Sequence, residues 1–200
     1  LSNLNLKKGT IIVVSAPSGS GKTTIVKQLL AEFPELKFSI SATTRAKREN
    51  ETNGVEYFFI SEEEFLEKIK RNEFVEWEKF YDYYYGTFKS VIEDTINSGQ
   101  SVILEVDVKG ALAIKNIYPD AVLIYIVPPS FDELVKRLKN RKTETPEDFR
   151  KRILRMEMEL NERKKFDYFI ENSVLEKAVE DAKSLIKKII KGEDDGNSTH

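Results

Sequence analysis

Residues 11–24 read Ile-Ile-Val-Val-Ser-Ala-Pro-Ser-Gly-Ser-Gly-Lys-Thr-Thr, and a chain carrying this stretch has few folds open to it. The β-branched run at 11–14 predicts a buried strand, and the apolar spacing of Ile25, Val26, Leu29 and Leu30 predicts a helix. Only a Gly/Ser turn separates the two. The turn matches the phosphate-binding signature G-x-x-x-x-G-K-[ST], except that Ala16 holds the place of the first glycine. Gly19 and Gly21 permit dihedrals that aim consecutive N–H groups inward as a nest for an anion, and the helix adds its positive end. Lys22 is placed to reach the β- and γ-phosphates of a nucleotide, and the Thr23 hydroxyl to sit on Mg²⁺. The plainer reading is a turn that merely joins strand to helix. Gly-Lys-Thr at the handover favours the phosphate site, built from Ala16, Pro17, Ser18, Gly19, Ser20, Gly21, Lys22, Thr23 and Thr24.

Composition narrows the chemistry. The 200 residues suit one α/β domain with subdomains. Lysine plus arginine (32) nearly balance aspartate plus glutamate (34), for a net charge of −2, which argues against a nucleic-acid or membrane-surface role. There is no cysteine, so disulfides, thiolate metal sites and cysteine catalysis are excluded. The one histidine is His200, in a polar tail, which removes histidine triads and zinc sites as well. No apolar run approaches a membrane span and no secretory signal is seen, so a cytoplasmic protein is expected.

Along the chain, Pro34 ends the first helix, and an extended segment at 38–41 runs into a polar loop, 43–54, closed by Asn53-Gly54. Residues 55–60 read as a strand, Ser61 with Glu64 as a capping box, and 74–80 as an alternating strand followed by an aromatic stretch. A helix at 89–98 stops at Gly99. Then come strand 101–107, helix 109–117, strand 121–127 and a helix capped by Ser130 with Glu133. Pro146 opens a long charged helix, 166–170 is a short strand, and Ser173 with Glu176 opens the last helix. Buried runs alternating with helices imply a parallel sheet covered on both faces. The stretch 35–88 breaks that alternation and reads as a smaller mixed-β lobe inserted into a core of 1–34 and 89–191, with a disordered tail at 192–200.

Within that lobe, Arg45 and Arg48 lie three apart beside Ser41 and Glu51, suited to clamp a phosphate with charge-assisted forks. Tyr57 and Tyr85 offer hydroxyls, Glu76 lies on a strand between apolar neighbours, and Thr87 follows Gly86. Any one of these residues is equally well a surface charge or a packed aromatic. Together, downstream of a phosphate loop, they point to a nucleotide.

At 15–24, 39–57, 72–80, 84–87 and 103–110, continuing through 128–141, the sequence resembles guanylate kinase, over roughly residues 9–191. The resemblance implies a P-loop NTPase-type α/β fold with a parallel sheet core, an inserted GMP-binding lobe and an arginine-bearing lid at about 137–152. It implies transfer of the γ-phosphoryl group of ATP to GMP. Arg45, Arg48, Tyr57 and Tyr85 would bind the GMP phosphate with Glu51 supporting the arginines, and Ser41, Glu76 and Thr87 would read the guanine. Glu105, where the family often has aspartate, would touch GMP. Bacterial members also carry alanine at the place of Ala16.

Phosphoryl transfer asks for positioning and charge neutralisation. Lys22 would hold the ATP phosphates, and Arg137, Arg141 and Arg152 would close over them as the lid. Mg²⁺ would bind Thr23 directly and Asp107 through water. The partners implied are ATP and GMP. A scaffold-type domain that binds phosphopeptides, or a kinase for another nucleoside monophosphate, would lack part of this set.

Overall fold

A computed structural model describes residues 8–80, 82–139 and 146–191. Its centre is β1 (Ile11–Ser15), buried along its whole length. Strands β7 (Val102–Glu105) and β8 (Val122–Val127) flank β1, with β2 (Lys37–Phe38) and β9 (Tyr168–Glu171) outside them. Every pairing in this five-stranded sheet is parallel, in the order β2-β7-β1-β8-β9.

Strand residues alternate in direction, so β1 feeds two cores. Ile12 and Val14 pack with Ile25 and Leu29 of α1 (Lys22–Glu32) and with Ala182 and Ile186 of α7 (Leu175–Lys191). Ile11 and Val13 pack with Ile92 of α3 (Lys89–Asn97) and with Ala111 and Ile114 of α4 (Val108–Ile117). Each fully buried valine, leucine or isoleucine among them contributes about 1.5–3 kcal/mol. A sheet covered on both faces leaves its strand ends as the place where loops converge. Ser15 and Glu105 end adjacent strands there.

A second sheet of four strands has the order β4-β3-β6-β5, from β4 (Phe58–Phe59), β3 (Ala42–Thr43), β6 (Tyr83–Phe88) and β5 (Phe74–Phe80). Its pairings are mixed: β3 with β4 is parallel, whereas β3 with β6 and β5 with β6 are antiparallel. Phe65 of α2 (Glu62–Lys70) fills its core, stacking on Phe74 and Tyr84 at ring separations of 4.4 and 5.3 Å. Gly86 is required beneath it, because a Cβ there would lie 2.9 Å from Phe65 Cζ.

Helices α5 (Phe131–Lys139) and α6 (Pro146–Glu162) share a small cluster of Leu134 and Met156 with Phe131, Val135, Phe149 and Ile153. The Ser61 and Ser130 caps form, accepting from Glu64 N and Glu133 N at 3.1 Å each.

Three local expectations change. Residues 55 and 56 form a turn, because Gly54 at φ 78° sends Val55 N and Glu56 N back to Thr52 O, and Tyr57 makes a single bridge to Asn53. Asp107 is not the end of a strand; it caps α4, its Oδ1 accepting from Gly110 N at 2.7 Å. Ser173 gives its hydroxyl to Glu171 Oε1 instead of capping α7. The predicted tail at 192–200 lies outside the described residues. Among those residues no helix is long and apolar enough to cross a membrane.

Candidate active site

The loop between β1 and α1 has the form the motif demands. Gly19 and Gly21 take φ of 91° and 83°, and Ser20 folds back on Pro17 O through its N–H at 3.2 Å and its hydroxyl at 2.8 Å. Among the described residues the non-glycine with positive φ is Asn72, so the Cβ of Ala16 meets no left-handed strain. Gly21 stands at the head of α1 without a side-chain cap, and Thr24 is exposed on its first turn. Lys22 Nζ donates to Glu105 Oε1 at 3.1 Å, and the Thr23 hydroxyl donates to the same oxygen.

One residue that fixes this loop was invisible in the sequence pattern. Asn172, just past β9 and buried, donates from Nδ2 to Ser20 O at 2.7 Å. It sits so close under the loop that a Cβ on Gly21 would lie 2.5 Å from that nitrogen.

In the second sheet, Arg45 forks onto Glu51 with bonds of 3.0 and 2.7 Å, while Arg48 N donates to Glu51 Oε2 at 2.8 Å. The bond from Arg45 holds the Glu51 carboxyl below its ordinary range, against the opposing effect of burial. The same bond raises Arg45. The Arg45 guanidinium lies over the Tyr57 ring at 5.7 Å and the Phe59 ring at 5.6 Å, and Tyr57 and Tyr85 meet edge to face at 6.0 Å. Burial pushes the Tyr57 hydroxyl up to about 12, so it remains a donor.

Glu76, Thr87 and Ser41 come together as expected. The Thr87 hydroxyl donates to Glu76 Oε1 at 2.5 Å, and the Ser41 and Thr87 oxygens lie 3.4 Å apart. Burial pushes Glu76 up to about 7, with the Thr87 bond opposing and the nearby Asp107 and Glu78 charges adding.

A second unforeseen cluster stands across from it. Arg155 of α6 donates from Nη2 to Glu78 Oε2 and to Asp107 Oδ2, at 2.6 Å each, and from Nε to Glu159 Oε1 at 2.8 Å. Its guanidinium lies 4.5 Å from the Phe80 ring centre. Burial would raise Asp107, but the bond shared with Glu78 and the Arg155 charge outweigh it and hold Asp107 low. Burial and that shared bond raise Glu78, with the Arg155 bond and charge opposing. Arg152, one turn earlier, donates from Nη1 to Ser18 Oγ at 3.3 Å, bringing α6 to the phosphate loop. The Arg137 side chain and the whole of Arg141 lie outside the described residues.

Lys22, Ser41, Glu76, Tyr85, Asp107 and Arg152 all line one cavity of about 260 Å³. A second cavity, of about 450 Å³, shares Ser41, Tyr57 and Glu105 with it and adds Thr23, Arg48 and Glu51. The first cavity thus brings the cations Lys22 and Arg152 together with the half-buried Glu76 carboxylate and the Ser41 hydroxyl. Such a cleft can hold two anionic ligands facing each other.

Comparison with known proteins finds relatives over most of the chain. Residues 8–189 match the family model described as guanylate kinase. The chain is 43% identical over 180 residues to the guanylate kinase of Thermotoga maritima, covering 90% of this chain and 87% of that one. It is 48% identical over 182 residues to the guanylate kinase of Bacteroides fragilis, covering 90% and 89%. Among solved structures, the guanylate kinase of Anaplasma phagocytophilum superposes with a TM-score of 0.73 at 30% identity, covering 94% of this chain and 87% of that chain.

Proposed function

The chain belongs to the guanylate kinase family and is an ATP:GMP phosphotransferase, and on that premise we propose how its own residues divide the reaction. The enzyme transfers the γ-phosphoryl group of ATP to GMP, giving ADP and GDP. In this reading it serves purine nucleotide metabolism in the cytoplasm and acts on free nucleotides, with no nucleic-acid or membrane partner.

Loop 16–24 holds the ATP phosphates through its inward amides and the positive end of α1, with Lys22 on the β- and γ-phosphates. Residues 35–88 form the acceptor lobe. There Arg45, Arg48, Tyr57 and Tyr85 take the GMP phosphate, and Glu51 supports the two arginines, Arg45 through its guanidinium and Arg48 through its backbone. Ser41, Glu76 and Thr87 read the base, and Glu105 adds a contact to GMP. The lid at 137–152 brings Arg137, Arg141 and Arg152 over the transferring group, screening two anions that would otherwise repel. No general base is needed, because the attacking GMP phosphate is already an anion.

Magnesium belongs to the same proposal. Among the described residues no three histidine, aspartate or glutamate side chains cluster as a metal cage. That suits an ion carried in on phosphates and held by few protein groups. Thr23 would hold it directly and Asp107 through water, both hard oxygen donors. When bound, it neutralises charge on the transferring phosphoryl group.

The observation that carries the proposal is the shared cavity, with Lys22 and Arg152 lining it alongside Glu76. A coupled assay offering ATP with GMP, AMP, UMP and CMP separately tests the base assignment. ADP should form rapidly with GMP alone. Comparable rates with AMP would overturn the assignment of Glu76 and Thr87 to guanine.

A further inference from the structure

Gly110 stands in the first turn of α4, where glycine costs about 1 kcal/mol relative to alanine. Its φ is not positive, so its own backbone does not call for glycine. The space around it does. A Cβ built there would lie 2.9 Å from Glu76 Oε2 and 3.2 Å from Glu76 Cδ, whereas the next atom, Asp107 Oδ1, is at an ordinary 3.4 Å.

Glu76 is hemmed on its other side as well. Its Oε1 takes the hydroxyl of Thr87, which is fully buried and faces Glu76 across the β5–β6 pair. A methyl group at 110 would therefore displace the carboxylate and little else. For stability that is a cheap adjustment, because the end of a flexible side chain yields. For recognition it is costly, because a carboxylate that accepts from two adjacent donors must hold its position to within about 0.5 Å.

We infer that Gly110 is a positioning residue for base choice: its missing side chain lets the first turn of α4 seat the Glu76 carboxylate against guanine. The inference rests on the reading that Glu76 accepts from guanine N1–H and the 2-amino group. Asp107 gains from the same turn, since Gly110 N donates to its Oδ1, and that bond survives a Gly110→Ala change because the backbone is unaltered.

The test compares Gly110→Ala, Glu76→Ala and the double variant, using thermal unfolding, KM for ATP, and kcat/KM for GMP and for inosine monophosphate, which lacks the 2-amino group. Gly110→Ala should melt at or above the wild-type temperature and keep its KM for ATP. Its kcat/KM for GMP should fall about 10- to 100-fold, and its preference for GMP over inosine monophosphate should shrink about tenfold. On the Glu76→Ala background the same change should alter GMP use less than about twofold, because the two act as one unit. Wild-type GMP use in Gly110→Ala would overturn the inference. So would failure to fold, an unchanged nucleotide preference, or additive losses in the double variant. If Glu76→Ala itself uses GMP as wild type does, the base reading fails. If Glu76→Ala is crippled and Gly110→Ala is not, only the role of Gly110 fails.

Discussion

Lys22 Nζ and Glu105 Oε1 lie 3.1 Å apart, joining the head of α1 to the end of β7. The Thr23 hydroxyl shares that carboxylate oxygen. One acid therefore orients both side chains assigned to the ATP phosphates and the metal. On that assignment, an incoming polyphosphate would compete with Glu105 for the same cation.

Lys22→Ala should abolish most phosphoryl transfer while leaving the fold and GMP binding intact. Losing an electrostatic contact to the transferring group costs about 10²- to 10³-fold in kcat. Steady-state kinetics beside a circular-dichroism melt check this. A Lys22→Ala enzyme keeping more than about a tenth of wild-type kcat would remove Lys22 from the donor site.

Glu76 sets a pH dependence. A carboxyl near 7 must ionise before it can accept from guanine, so GMP binding should expel a proton below that pH. Affinity should fall by up to about tenfold per pH unit from this source. The GMP phosphate also titrates, near about 6, so the reference is Glu76→Gln, which keeps that contribution and loses the carboxyl. Calorimetry at pH 6 in two buffers of different ionisation heat should count about one more proton released by wild type. Equal counts would contradict the assignment.

Stability carries the opposite sign. The folded value lies above the ordinary 4.5, so the contribution of Glu76 is fully present below pH 4.5 and is lost as the pH rises through 7. A shift of this size is worth about 3 kcal/mol. Glu76→Gln should accordingly be more stable than wild type at pH 8 in urea unfolding. A Glu76→Gln protein that unfolds at lower urea than wild type at that pH would contradict this.

Arg155 should matter more to the fold than any surface arginine. Its partners Glu78, Asp107 and Glu159 come from β5, the cap of α4 and α6, and their side chains are 21%, 29% and 10% exposed. Arg155→Met leaves three carboxylates facing one another, at a cost of about 2 kcal/mol for groups partly in water. Adding Glu78→Gln should return a good part of that loss. Unfolding in urea reads both, and an Arg155→Met protein as stable as wild type would contradict the network.

The sequence carried the features whose cause is local. The strand–loop–helix of 11–32, the caps at Ser61 and Ser130 and the apolar face of α7 each follow from neighbours a few residues apart. Arg45 with Glu51 and Glu76 with Thr87 were legible as candidates because they cluster along the chain. Asn172 was not, since its partner Ser20 is 152 residues away and nothing periodic marks it. Arg155 reads as one more charge on a charged helix until three elements meet around it. Asp107 had a legible signal, an acid just before a helix with Gly110 three residues on, but the apolar run before it suggested a longer strand. Residues 55 and 56 went the other way: Val55 favours strand, and the turn set by Gly54 overrides it.

The central claim is that one carboxylate chooses the base, and Glu76→Gln tests it most directly. Glutamine keeps the size but offers one acceptor oxygen and an NH₂ that opposes one of guanine's two donors. The account predicts that kcat/KM for GMP falls by about 10²-fold or more, with KM for ATP and the fold little changed. A Glu76→Gln enzyme that phosphorylates GMP as efficiently as wild type would contradict it, and would move guanine recognition to Ser41 and Thr87.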